Sequence, residues 1–414
     1  MSDLTAPGFP EEAVRRRART GAAAAFPPVG EYGEVLFGAQ PGSPADPLDA
    51  MRLVPPLFMA GRLAKLIDLG REPNYFDVDL ETPVGGFRSA LPVYVSALGS
   101  TRAANSDLGL ALSRQAGALG LPMVIGENIV PVNGYGRTGG DSSSSSERSL
   151  LGRISAYAEQ LADGMGGVAV QQSTEDADAE VWNLVYSDPG ALPLLESGRL
   201  AFELKVGQGA KPGLGGMTVL DAESAARVGD RFGLDPIFDG ERVLRAGSPG
   251  TFTAEILRQQ IRLMRNNFPR ARVWVKLYPG RDVAEAVRVA AEAGADAVTV
   301  DGAEGGSGWA PSAFPDQVGL PLAECLRRIT EPPPCLLVSG RMWEGGRAVR
   351  SLALGARAVG LGRAALLAAA EDPAEGLLRF VECLALEMRL LLSSLGKYSP
   401  AELDREDVWS PPAG

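Results

Sequence analysis

The feature that most restricts the fold of this chain is a repeated alternation of strand-length apolar runs with Ala/Leu-rich helical patterns from about residue 91 onward. The runs are 92-PVYVSA-97, 122-PMVIGE-127, 167-GVAVQ-171, 201-AFELK-205, 273-VWVKL-277, 297-AVTVD-301, 335-CLLVS-339 and 358-AVGLG-362. Apolar runs without strict alternation are what parallel strands buried on both faces require. Helical patterns lie between them, as in 281-RDVAEAVRVAAEAG-294 and 345-GGRAVRSLALG-355, where Gly294 and Gly355 stand where a helix must stop. Eight strand–helix units over roughly 275 residues match a (β/α)8 TIM barrel of the α/β class. A doubly wound open sheet is the alternative, but it more often stops at five or six strands.

The chain divides on this reading into an N-terminal extension over 1–90 that wraps the barrel, a barrel over 91–370, and a helical tail over 371–414. The tail carries an amphipathic packing helix, 373-PAEGLLRFVECLALEMRLLLSSLG-396. Two interruptions fall at strand C-terminal ends, the face where barrel sites assemble. One is the Gly/Ser-rich loop 133-NGYGRTGGDSSSSSER-148, and the other is a long insertion over 206–252.

Composition narrows the function. The chain has 414 residues, 45% apolar and 22% charged, with a formal net charge of −11. That balance describes a globular protein and disfavours nucleic acid or an anionic membrane as partner, since both reward a basic face. No run is long enough to span a bilayer. The GAAAAF segment after Arg15, Arg16, Arg17 and Arg19 is too short for a signal peptide core. Three scattered cysteines fit a reducing cytoplasm better than a disulfide framework. The chain contains no histidine, so an imidazole base or ligand is closed to it, and no metal site is expected.

Two constellations carry chemistry. The seventh run ends in Ser339-Gly340-Arg341 and the eighth in Gly360-Leu361-Gly362-Arg363 before a helix. Loops after the last two strands of a barrel commonly bind phosphate through backbone N–H groups, glycine admitting the anion closely and arginine clamping it. Turn glycines with surface arginines are the plainer alternative. In the fifth run, Lys276 stands inside an apolar strand and must reach a polar space, snorkel outward or pair with a carboxylate. The fourth run enters 203-ELKVGQGAKPGLGG-216, a shaped loop offering backbone donors with Gln208 and Lys211.

This loop resembles that of the flavin domain of the glutamate synthase family, which reads very nearly K-x-G-Q-G-A-K-P-G-x-G-G. The resemblance extends to 96-SALGS-100, 126-GEN-128, 270-RARVWVKL-277, 305-GGSGWAP-311, 318-VGLPL-322 and 345-GGRAVRSLALGARAVGLG-362, covering about residues 90–395. It implies a barrel of the FMN-dependent oxidoreductase type. Ser96, Ala97, Lys276, Gly305, Gly306, Gly340, Arg341, Gly360, Gly362 and Arg363 would contact FMN, with Lys276 stabilising an anionic reduced flavin. Glu127, Gln208 and Lys211 would be catalytic, Lys211 as clamp for a substrate carboxylate or as proton donor. The departures are equally specific. The family's amidotransferase domain and its closely spaced cluster-binding cysteines have no counterpart here, and the family's G-H-D-G-G-T-G becomes 302-GAEGGSG-308, with Ala303 in place of histidine.

The resulting expectation is a stand-alone FMN-dependent oxidoreductase acting on an amino acid, 2-keto acid or imine by hydride transfer, without the glutaminase domain or iron–sulfur cluster. It would take a carboxylate-bearing small molecule and a separate electron-donor protein, and would form a homo-oligomer. The absence of histidine argues against the 2-hydroxy-acid oxidases, which use a histidine base on a similar barrel. Two alternatives stand beside it: redox-neutral flavin chemistry of the isomerase kind, and a non-catalytic subunit with a degenerate flavin barrel.

Overall fold

The computed structural model describes residues 4–25, 46–98, 107–126, 150–161, 164–172, 181–215, 217–229, 233–236, 242–247, 249–305, 310–311 and 313–411. Eight parallel strands close into a barrel in chain order: β1 (Val93–Leu98), β2 (Met123–Ile125), β3 (Val168–Gln172), β4 (Leu200–Lys205), β5 (Arg272–Leu277), β6 (Ala297–Asp301), β7 (Leu336–Ser339) and β8 (Ala358–Leu361). β8 pairs with β1 to shut the ring. Each strand begins within one residue of the apolar run that predicted it, and Gly294 and Gly355, at φ 100° and 110°, turn the chain out of the helices before them.

The apolar runs hide an alternation. Positions such as Val273, Val275, Val298, Val300, Leu336, Val338, Val359 and Leu361 face outward and pack under the helices in the main core. The intervening positions face the lumen, and their chemistry changes with height. The floor is apolar, built from Tyr94, Val124, Ala169, Ala201, Trp274, Leu337 and Ala358. Toward the strand C-termini the same series continues as Ser96, Gln171, Glu203, Lys276, Thr299, Asp301 and Ser339, all buried. A period of two along each strand thus separates a helix-facing apolar surface from a lumen that is dry below and polar above.

The floor is closed by a hairpin from the N-terminal region, Thr82–Val84 paired with Phe87–Ser89. Its Gly85-Gly86 turn has both residues in the left-handed region, φ 55° and 93°, as a tight two-residue hairpin turn requires. The turn lies against Trp274, whose Nε1–H donates to the Gly85 carbonyl at 2.9 Å, while the Phe87 ring sits 5.3 Å away. A side chain at Gly85 would meet the indole at 2.5 Å, so only glycine fits.

Further N-terminal elements lie at the opposite end and flank. Helix α1 (Glu11–Thr20) packs against α4 (Arg363–Glu371) and α5 (Gly376–Ser394), the amphipathic helix expected in the tail. The short helix α2 (Pro47–Ala50) packs against α3 (Gly345–Ala353). Arg52–Leu53 pairs with Val408–Trp409 near the C-terminus. The insertion after β4 forms its own three-stranded antiparallel sheet, Met217–Leu220, Val243–Ala246 and Gly233–Asp235, with a helix over Ala222–Val228. The Gly/Ser-rich loop over 133–148 lies outside the described residues. No helix among the described residues is long and apolar enough to cross a membrane.

The polar lumen layer yields a measurable consequence. Glu203 accepts from Gln171 Nε2 at 2.6 Å and from Thr299 Oγ1 at 3.0 Å, and burial raises its carboxyl pKa above the usual range against the lowering pull of Lys276. An acid raised on folding stabilises the fold while protonated, and that contribution is lost as pH climbs from the unfolded value through the folded one. Glu203→Gln keeps the volume and removes the charge. Its melting temperature relative to the wild type is expected to rise as pH is increased from about pH 4 upward, followed by thermal denaturation.

Candidate functional site

One cavity opens at the C-terminal end of the strands and is walled by the ends of β1, β5, β6, β7 and β8. Nine residues named from the sequence line it together: Ser96 and Ala97 from β1, Lys276 from β5, Gly305 after β6, Gly340 and Arg341 after β7, and Gly360, Gly362 and Arg363 around the end of β8. The tenth, Gly306, lies outside the described residues, as does Glu127 beyond the shortened β2.

The middle of the cavity is organised by Asp301, the last residue of β6, which is 1% exposed. Its Oδ2 lies 3.1 Å from Lys276 Nζ and accepts the Gly209 backbone N–H at 3.1 Å, while its Oδ1 accepts from Ser339 Oγ. The lysine inside an apolar strand therefore takes the carboxylate-paired option, and it does so while still lining the cavity. Gly209 belongs to the GQGAKPG loop, so the same carboxylate ties that loop to the barrel mouth. Lys211 on this loop is buried and Gln208 half-buried, but neither is among the residues lining the cavity.

At one side the wall is pared to backbone. A Cβ at Gly360 would stand 2.2 Å from Ser96 Oγ and 2.6 Å from Tyr94 Cζ, so glycine is the residue the close approach of β8 to β1 permits. Ser96 Oγ and the Tyr94 hydroxyl are buried without a hydrogen-bond partner. Burial, with the nearby charges of Asp301 and Glu203, keeps Tyr94 a neutral phenol well above its ordinary pKa.

The end formed by the loops after β7 and β8 is cationic. Arg341 adopts a left-handed backbone, φ 54°, uncommon for a residue with a side chain, and its buried Nε has no partner. Burial first, then the neighbouring Arg341 guanidinium, hold Arg363 below the usual arginine range. Two half-buried guanidiniums that repel each other beside a cavity lined by four glycines form a place for an anion. Glu304 also borders this end, but its carboxylate is turned to the Leu322 N–H and to Arg347 Nη2 at 2.7 Å, and its own carbonyl accepts from Arg363 Nη2 at 3.1 Å.

Phe9, Asp301, Glu304 and Met342 line the cavity without having been singled out in the sequence, beside Ser339 of the Ser339-Gly340-Arg341 motif. Asp301 carried the signal that identified Lys276, a charge at the end of an apolar run. Phe9 carried none. The three cysteines are buried apart from one another, and burial raises the thiols of Cys325, Cys335 and Cys383 to about 12, 11 and 11.

Comparison with known proteins places this geometry. Among solved structures, the (S)-mandelate dehydrogenase of Pseudomonas putida, in a soluble mutant form, superposes with a TM-score of 0.53 at 20% identity, covering 98% of this chain and 100% of that one. A flavocytochrome b2 variant with sulfite bound gives 0.54 at 19% identity, covering 97% and 83%. These likenesses describe the fold. In sequence, an archaeal-type glutamate synthase [NADPH] of Dehalococcoides mccartyi is 33% identical over 183 residues, 42% of this chain and 36% of that protein. A glutamate synthase large subunit-like protein of Rhizobium meliloti is 33% identical over 181 residues, 42% and 40%. The match thus spans well under half the length of these relatives. The family described as the conserved region in glutamate synthase matches residues 143–371, more than half of the chain, and to that family this chain belongs.

Proposed function

We propose that the chain is an FMN-dependent oxidoreductase acting on an amino acid, 2-keto acid or imine. One observation carries the reading: the residues the flavin motifs point to converge on a single cavity with a paired-arginine anion end and a polar, partly unsatisfied interior. The residues fit FMN. Arg341 and Arg363 with the backbone of Gly340, Gly360 and Gly362 would hold the phosphate. The unpartnered Ser96 hydroxyl and the Lys276 ammonium would meet the polar edge of the ring system.

FMN, when bound, supplies a two-electron centre for hydride exchange with a substrate carbon. The chain supplies the rest. Lys276, anchored by Asp301, contributes positive charge from a buried position, where charge is felt more strongly than in water. The loop over 207–213, fastened by the Gly209–Asp301 hydrogen bond, carries Lys211 and Gln208, which on this reading would act on the substrate from beside the cavity. Lys211 Nζ would orient a substrate carboxylate or exchange the proton that accompanies hydride transfer, with Glu127 as a second proton carrier. No imidazole exists in the chain to do this work. A carboxylate-bearing substrate and a separate electron-donor protein complete the proposal.

The protein purified without added cofactor is expected to show flavin absorption and to release FMN on denaturation. A colourless protein that takes up no added FMN would overturn the reading. Arg341→Ala and Arg363→Ala each remove a charge-assisted phosphate contact and are expected to weaken FMN binding by about 10- to 100-fold in a fluorescence titration. Gly360→Ala, whose methyl group enters the space of Ser96 and Tyr94, is expected to lose FMN while the barrel folds. Lys211→Ala is expected to keep the flavin spectrum and lower kcat/KM at least about tenfold; unchanged turnover would remove its assigned role.

A further inference from the structure

We infer that two N-terminal stretches, residues 6–25 and 46–49, are part of the cofactor site, with Phe9 as a binding residue at the phosphate end and Asp46, Asp49 and Arg347 as positioning residues; this rests on the FMN reading. Phe9 is only 9% exposed although it lies in a Pro/Gly-rich stretch far from the barrel in sequence. Its ring faces Arg363, with the guanidinium carbon 5.4 Å from the ring centroid, within cation–π range. It lines the cofactor cavity and also a second, outer cavity of about 1260 Å³ that shares Arg341 and Arg363 with the first. The ring is thus a partition shared by the two spaces. The ring covers one face of the Arg363 guanidinium, and its loss would open that face to water and weaken the attraction for a phosphate with the rise in local dielectric.

Two anchors hold these stretches to the loops they serve. Arg17 makes a paired contact to Glu387 at 2.8 and 2.6 Å and donates to the Trp343 carbonyl at 3.1 Å, and Glu387 Oε2 also accepts the Gly345 N–H at the start of α3. The second anchor is Arg347, which is wholly buried. Its Nη1 donates to Asp46 at 2.6 Å and to Asp49 at 2.9 Å, its Nη2 to Glu304 at 2.7 Å, and its Nε to the Gly340 carbonyl at 3.0 Å. One guanidinium therefore joins two cavity loops, at Gly340 and Glu304, to the helix of the second stretch. A buried arginine tolerates such a position only while its carboxylates stay in place.

Because the same groups hold these stretches and shape the phosphate end, docking of the stretches and binding of FMN must be coupled, and the coupling is reciprocal. FMN added to flavin-free wild type is therefore expected to slow protease cleavage within residues 4–25. Phe9→Ala and Phe9→Leu are expected to weaken FMN binding about tenfold in a fluorescence titration, Leu rescuing little because it restores bulk without a π face. Asp46→Asn is expected to weaken binding in the same direction and to abolish the protection. Circular dichroism confirms that each variant is folded, and the protection assay on wild type needs no variant. Wild type that binds FMN without protecting residues 4–25, together with Phe9→Ala binding FMN as tightly as wild type, would overturn this inference alone. Wild type that binds no FMN would overturn the flavin reading and this inference with it.

Discussion

An ammonium and a carboxylate withdrawn from water cost several kcal/mol each unless geometry and further hydrogen bonds compensate, and Lys276 with Asp301 meet that condition at the top of the barrel lumen. Asp301 spends its remaining acceptor capacity on the Gly209 N–H and the Ser339 hydroxyl. Two strands and two loops, β5, β6, the end of β7 and the GQGAKPG loop, are thereby referred to one buried carboxylate. Removing either member of such a pair strands the other charge, at a cost of about 3–5 kcal/mol. The pair is consequently a constraint on the shape of the mouth as well as a source of charge within it.

The constraint works because the lumen below it is dry. Trp274, Leu337, Ala169 and Ala201 fill the floor, and the hairpin turn at Gly85 seals it from the far side with a hydrogen bond to the indole nitrogen. Water that entered from below would screen the Lys276–Asp301 pair and supply alternative partners to Gln171, Glu203 and Thr299. A barrel sealed at its base and polar at its top therefore concentrates its reactive groups at the one end where the loops lie.

The barrel was legible because strand length, strand number and glycine stops are local properties, and each run was long enough to mark its own position. The anion end was legible for the same reason: Ser339-Gly340-Arg341 and Gly360-Leu361-Gly362-Arg363 each sit directly after a strand. What the chain did not disclose is everything that depends on two distant segments meeting. Asp301 and Glu203 were visible as charges in apolar runs, yet their partners are set by the register between strands and not by spacing along one. Phe9 and Asp46 stand in a stretch without periodicity, and only the folded position of Arg363 and Arg347 gives them meaning. The alternation along the strands was masked because small or apolar lumen residues such as Ala169, Ala201 and Leu337 read like the helix-facing ones.

Fold and chemistry separate sharply in this protein. Its barrel superposes on mandelate dehydrogenase and flavocytochrome b2 at 19–20% identity, a level at which backbone geometry persists while side chains do not. A chain without histidine cannot borrow an imidazole-based proton step from any scaffold it resembles. The family match covers the segments that bear Lys276, Asp301, Gly340, Arg341 and Arg363, all of which line the one cavity at the strand C-termini. The loop that carries Lys211 is fastened to the same carboxylate that holds Lys276, so the position of the loop and that of the cavity lysine are set by one common group.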